Sequence, residues 1–160
     1  MTGPAAPRNV LVACLGNPDR GDDGIGLLVA QKLETLLPAG VAFLWRRGDM
    51  FSLIGDFEGY RALVCVDAAA PMGSPGRIHR IDTTNGEVPR ELLATSTHSF
   101  GLPDAIELAR ALDRAPQSIV IYAVEGLRFD AGAAMTCAVA AAAEEVARLA
   151  AAEAGRLSAE

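Results

Sequence analysis

The sequence of 160 residues is poor in the residues that usually announce a metal, redox or nucleic-acid site. Cysteine occurs three times, at Cys14, Cys65 and Cys137, an odd number at wide spacing that builds neither a disulfide framework nor a CxxC site. Each lies in an apolar stretch, so three buried thiols are expected. No apolar run approaches the ~18–20 residues of a membrane-spanning helix, and a membrane partner is not expected. The first eight residues lack the basic and apolar regions of a secretory signal, which makes the cytoplasm the expected location. Positive charge is sparse: 14 basic residues stand against 20 acidic ones, for a net charge of −6, and only Arg46 and Arg47 are adjacent. Nucleic-acid binding draws on a clustered basic face, so that partner is excluded. HExxH, GxSxG and GxxxxGK(S/T) are all missing. Asp82-Thr83-Thr84 superficially resembles an aspartic-protease triplet, but Thr84-Asn85 stands where glycine belongs.

What is present suits a folded α/β domain. Hydrophobic residues make up 51% and charged residues 21%, enough for a sizeable core. Continuous apolar runs at Val10–Leu15, Ala62–Val66 and Ser118–Val124 predict strands buried on both faces, with further strands at Val41–Trp45 and, by alternation, at the edge over Arg77–Asp82. Helical spacing marks Ile25 to Leu36, Asp49 to Phe57, Gly101 to Leu112 and Met135 to Leu149. Strands alternating with helices predict a three-layer α/β/α sandwich around a mostly parallel, twisted sheet of about five strands. The expected organisation is one domain over 1–160, with 1–8 and 153–160 as loose termini.

In such sheets ligands bind outside the carboxyl ends of the strands. The loop after the first strand, Gly16-Asn17-Pro18-Asp19-Arg20-Gly21-Asp22-Asp23-Gly24-Ile25-Gly26, is glycine-rich without GxGxxG spacing, and three aspartates in it would repel a phosphate. Asp22 or Asp23 alone reads as a helix cap, but two adjacent acids cannot share one cap, so one is left for the crevice. Asp67 ends a buried apolar run, where desolvating a carboxylate is costly without a partner; its alternative is a turn-forming role. Glu125 stands at the equivalent place on the last strand, as a supporting residue. His98, one of two histidines, precedes a helix that can pack beside these acids, while His79, between arginines on an edge strand, is expected to be exposed. Two carboxylates and an imidazole make an open site suited to a borderline divalent ion such as nickel, zinc, manganese or iron, with a position left for Lewis-acid work.

Taken together, Leu15-Gly16-Asn17-Pro18, Gly21-Asp22-Asp23-Gly24-Ile25-Gly26, Val64-Cys65-Val66-Asp67-Ala68, Pro75-Gly76 and Ser96-Thr97-His98-Ser99-Phe100-Gly101-Leu102 resemble the hydrogenase maturation endopeptidases. These trim the C-terminal extension from the large subunit of nickel-iron hydrogenases. The resemblance spans Val10 to about Leu149 and implies an α/β/α fold with five strands. It also implies an aspartic-type endopeptidase in which Asp23, Asp67 and His98 engage nickel, supported by Gly16, Asn17, Asp22, Gly24, Gly48 and Glu125. Some relatives carry Glu where Asp23 stands, one methylene longer. The loop after the second strand resembles Gly-Gly-Thr in the family; here it is Arg46-Arg47-Gly48-Asp49, and only Gly48 is kept. The implied partner is the hydrogenase large-subunit precursor, which brings the nickel as its own unfinished centre. The Thr83–Thr97 excursion and the Pro71–Gly76 loop are expected to hold the precursor's C-terminal segment. Two other readings stand beside this one: a non-catalytic module that checks metal loading, and a small-molecule enzyme on a doubly wound sheet.

Overall fold

The computed structural model describes residues 8–95 and 100–160. The chain runs β1 (Arg8–Leu15), a 3₁₀ turn (Gly21–Gly24), α1 (Ile25–Leu33), β2 (Val41–Arg46), α2 (Met50–Phe57), β3 (Tyr60–Ala69), β4 (Ile78–Asp82), α3 (Leu102–Ala111), β5 (Ser118–Glu125) and α4 (Cys137–Ser158). The five strands form one sheet in the order β2-β1-β3-β5-β4. β1 pairs in parallel with β2 and β3, and β3 in parallel with β5, while β4 closes the edge antiparallel to β5. The expected sandwich is therefore present, including the edge strand read from alternation.

Each central strand is apolar on both faces because each face is covered. Val10, Val12, Val64, Val66 and Val120 pack with Val29 and Leu33 of α1 and Val139 and Val146 of α4. Leu11, Leu15, Leu63, Cys65 and Ile121 pack on the other face with Leu53 and Phe57 of α2 and Ile106 of α3. From β1 the chain moves on to β2 and from β3 to β4, in opposite directions along the sheet, so a crevice opens at the carboxyl ends of these neighbouring strands, the usual ligand position in a doubly wound sheet.

Helix α1 lies so close to β1 that a Cβ at Gly26 would sit 2.1 Å from the Leu15 carbonyl oxygen. Backbone on one side cannot yield as a flexible side chain can. Gly26→Ala is expected to cost about 1–3 kcal/mol, read as a lower urea midpoint at unchanged slope.

Two expectations need correcting, and a third lies almost wholly outside the described residues. The stretch 153–160 is not loose: α4 continues to Ser158, burying Ala154 and Leu157, and Asn9 Nδ2 donates to the Ser158 hydroxyl at 2.6 Å. Alanines at 143, 147, 150 and 154 let this helix pack closely without a conspicuous apolar stripe. Of the expected loose stretch 1–8, residues 1–7 lie outside the described residues and Arg8 belongs to β1. Cys14 and Cys65 are buried, but Cys137, at the first turn of α4, is exposed. Burial pushes the Cys14 thiol up to about 12, which leaves it unreactive at neutral pH. Among the described residues no helix is long and apolar enough to cross a membrane.

Candidate active site

The site begins where β1 ends. Gly16 has φ +127°, and a Cβ there would meet the Asp23 carbonyl oxygen at 2.0 Å, so only glycine lets the loop fold back on itself. The Asn17 side chain accepts from the Asp19 N–H at 2.9 Å, an Asx turn that starts the bend. The Asn17 backbone N–H donates to Asp23 Oδ2 at 2.8 Å, and the Arg20 guanidinium lies 4.0 Å from the same oxygen. Gly24 takes the N-cap position of α1 without any side-chain cap, and a Cβ on it would lie 3.0 Å from Pro18 Cα.

The adjacent acids are divided between two jobs, neither of them capping. Asp23 turns into the crevice. Asp22 turns away from it and is fully buried. Its Oδ2 accepts from the Leu127 and Arg128 N–H groups at 2.8 and 2.9 Å and from the Thr136 hydroxyl at 2.7 Å; its Oδ1 accepts from the Thr136 N–H at 2.6 Å. Burial would raise this carboxyl, but the N–H groups of Arg128, Leu127 and Thr136 outweigh it and hold Asp22 below the usual carboxylate range.

Asp67 does not form a turn, because β3 stays extended through Ala69. Its Oδ1 accepts from the next N–H, that of Ala68, at 2.8 Å. Burial, and then the nearby charge of Asp23, raise the Asp67 carboxyl well above its ordinary value. Asp23 and Asp67 line one cleft of about 390 Å³, whose wall also includes Gly16, Asn17 and Gly48. His98 lies outside the described residues; Thr95 and Phe100, on either side of the segment that carries it, line the same cleft. Among the described residues no three His, Cys, Asp or Glu side chains group so as to hold a metal.

Glu125 is not part of that wall. It is almost fully buried, and its Oε2 accepts from the N–H groups of Met72 and Ser74 at 3.1 and 2.5 Å, which holds the Pro71–Gly76 loop. His79, expected to be exposed, is largely covered, with Nε2 3.7 Å from Glu125 Oε1. Its position in β4 is registered on Ala123 of β5, a small residue that leaves room for the ring.

Several residues of the cleft were not among the site candidates read from the sequence. Arg20, Arg47, Met50, Leu93 and Leu102 all reach it. Leu93 sits in a stretch without periodicity, and Met50 reads only as the first turn of a helix. The Arg46–Asp49 loop serves α2: Arg46 holds Asp56 through two hydrogen bonds of 2.7 Å, and Asp49 caps the helix by accepting from the Ser52 N–H at 3.1 Å.

Comparison with known proteins now supplies a family. A family model described as hydrogenase maturation protease matches residues 48–153, more than half of the chain. Asp67 and His98 fall inside that match and Asp23 before it. The structure is similar to the hydrogenase maturating endopeptidase HybD from E. coli, with 23% identity, 92% of each chain covered and a TM-score of 0.72. It is also similar to the NiFe hydrogenase maturation protease HybD from Thermococcus kodakarensis, with 25% identity, 91% of this chain and 99% of that one covered and a TM-score of 0.69. An endopeptidase from Escherichia coli solved in solution gives a TM-score of 0.76 at 24% identity, with 92% of each chain covered. No curated protein sequence matches. On the strength of the family match and the shared fold, the chain belongs to the hydrogenase maturation proteases and is a processing endopeptidase.

Proposed function

We propose that this protease removes the C-terminal extension of a hydrogenase large-subunit precursor once that precursor carries nickel. In this reading the whole chain acts as one domain in the cytoplasm, and Asp23, Asp67 and His98 engage the precursor's metal. The observation that carries it is the meeting of Asp23 and Asp67 in one cleft, although Asp23 follows β1 and Asp67 belongs to β3. Thr95 and Phe100 extend the same wall toward the segment bearing His98. Peptide hydrolysis needs a polarised carbonyl and a water relieved of its proton. The precursor's nickel supplies the Lewis acid, and an acid of the pair Asp23 and Asp67, once freed from metal contact, takes the proton of the attacking water, as in an aspartic-type enzyme.

Metal brought by the substrate also explains restraint. The bonds from these side chains to nickel form only when the precursor is loaded, so discrimination is a difference between two states of one partner. Purified protein incubated with nickel-loaded precursor is expected to release a short C-terminal peptide, seen by mass spectrometry, and to leave apo precursor intact. Equal cleavage of both forms would overturn the substrate-borne metal, and loading-dependent binding without cleavage would leave only a metal-checking role.

A further inference from the structure

The cleft has more apolar wall than two carboxylates require. Met50 opens α2, Leu93 closes the turn-rich excursion after β4, and Phe100 and Leu102 lead into α3; all four line the cleft. At its mouth the ring of Phe100 stacks on that of Phe51, with centroids 4.0 Å apart and planes 7° from parallel, yet Phe51 remains 62% exposed. A large aromatic side chain stacked at the lip of a cleft and left in water is a surface awaiting a partner.

The polar groups around this wall are already engaged. Arg47 pairs with Asp19, Arg20 faces Asp23, Asp49 is committed to Ser52, and the Asn17 side chain holds the Asp19 N–H. Beside these groups and Thr95, the cleft offers an incoming ligand the continuous apolar contact of Met50, Leu93, Phe100 and Leu102. The occupant follows from position: a processing endopeptidase must draw a polypeptide past Asp67, and the apolar wall is continuous with that residue. Volume agrees, since about 390 Å³ lies toward the small end of the ~300–1,000 Å³ typical of ligand pockets and suits a side chain with its adjoining backbone.

We propose that Met50, Leu93 and Phe100 form a subsite for an apolar side chain of the substrate beside the bond to be cut, with Phe51 extending it outward. The proposal rests on the processing role given above and adds the class of residue selected. An aspartate at that substrate position would lose its hydration against this apolar wall, so it is rejected on desolvation as well as on lost contact.

The test uses short capped alanine peptides carrying one central Leu, Met, Phe or Asp, titrated into the intact protein with labelled methionine and leucine methyl groups. Saturable shifts of the Met50 and Leu93 resonances are expected with Leu, Met and Phe, and none with Asp. Phe100→Ala should weaken binding by about 10- to 100-fold, the scale of a lost pocket contact. Met50→Asp should abolish the shift of the Leu93 methyls while the far-ultraviolet spectrum and melting temperature stay those of the parent. Equal shifts for Leu and Asp, or no shift at Met50 and Leu93 with any peptide, would overturn the subsite. Precursor processing is followed on the same preparation: shifts without processing keep the subsite and remove the processing role, whereas processing without shifts removes the subsite alone.

Discussion

Asp67→Asn is expected to lower the processing rate by about 10³-fold or more, the range for removing a positioned acid or base, while leaving the fold intact. Asparagine keeps the side-chain oxygen that accepts from the Ala68 N–H, and it keeps the shape of a strand whose surroundings are almost fully buried. It lacks the charge and carries an NH2 in place of the second oxygen. The native Asp67 carboxyl is raised by burial and by Asp23, so the folded chain holds this proton more tightly than the unfolded chain. The stability linked to it is complete below the ordinary carboxyl value and is lost as pH rises through the raised native value. The variant has nothing to lose there. At neutral pH it should therefore melt at or above the parent's temperature while processing almost nothing. A variant that processes at the parental rate would show that Asp67 is a structural residue, and one that melts far below the parent would show that its charge is compensated in the fold.

Asp22→Ala is expected to have the opposite profile, with stability falling first. Truncation leaves the N–H groups of Leu127, Arg128 and Thr136 and the Thr136 hydroxyl without their acceptor. Unsatisfied buried donors cost about 1–3 kcal/mol each, and partial relaxation brings the sum to about 3–5 kcal/mol. Thermal unfolding should show a drop of roughly 10 °C or more. The pH dependence has a definite sign. The native Asp22 carboxyl lies below its ordinary value, so its contribution is complete above that ordinary value and is lost as pH falls through the lowered native one. The gap between parent and variant should accordingly close in acid. Asp22→Asn should fall in between, since its amide nitrogen would face donors. A variant as stable as the parent at neutral pH would mean that water replaces the carboxylate.

The sheet was legible because its central strands are buried on both faces, which makes Val10–Leu15, Ala62–Val66 and Ser118–Val124 stand out as unbroken apolar runs. Asp67 was legible for the same reason: a carboxylate that interrupts such a run needs an explanation. The choice between Asp22 and Asp23 came only from the family resemblance and was not legible in the residues themselves. Both sit in the same short turn, and what turns Asp22 away from the crevice are donors more than a hundred positions further along the chain. Alanine hid the far end of α4, since it packs as a core residue without marking a face. The expected burial of Cys137 failed at that helix's first turn, where solvent lies on one side. Leu93 walls the cleft from a region with no period to read, and there only three-dimensional proximity identifies it.

The hydrogen bonds of Asp22 also set a schedule. Its partners are 105 to 114 residues downstream, so closing this contact carries one of the longer loop closures available to a chain of this length. During synthesis from the amino end, a growing chain that has not yet added Leu127, Arg128 and Thr136 has no donors for that carboxylate. The neighbouring turn that presents Asp23 is then without its anchor, although β1, β2 and β3 are already complete. The protease thus gains the anchor of its Gly21–Gly24 turn only when the beginning of α4 has been made, and a nascent or prematurely ended chain carries both acids without the contacts that turn them apart.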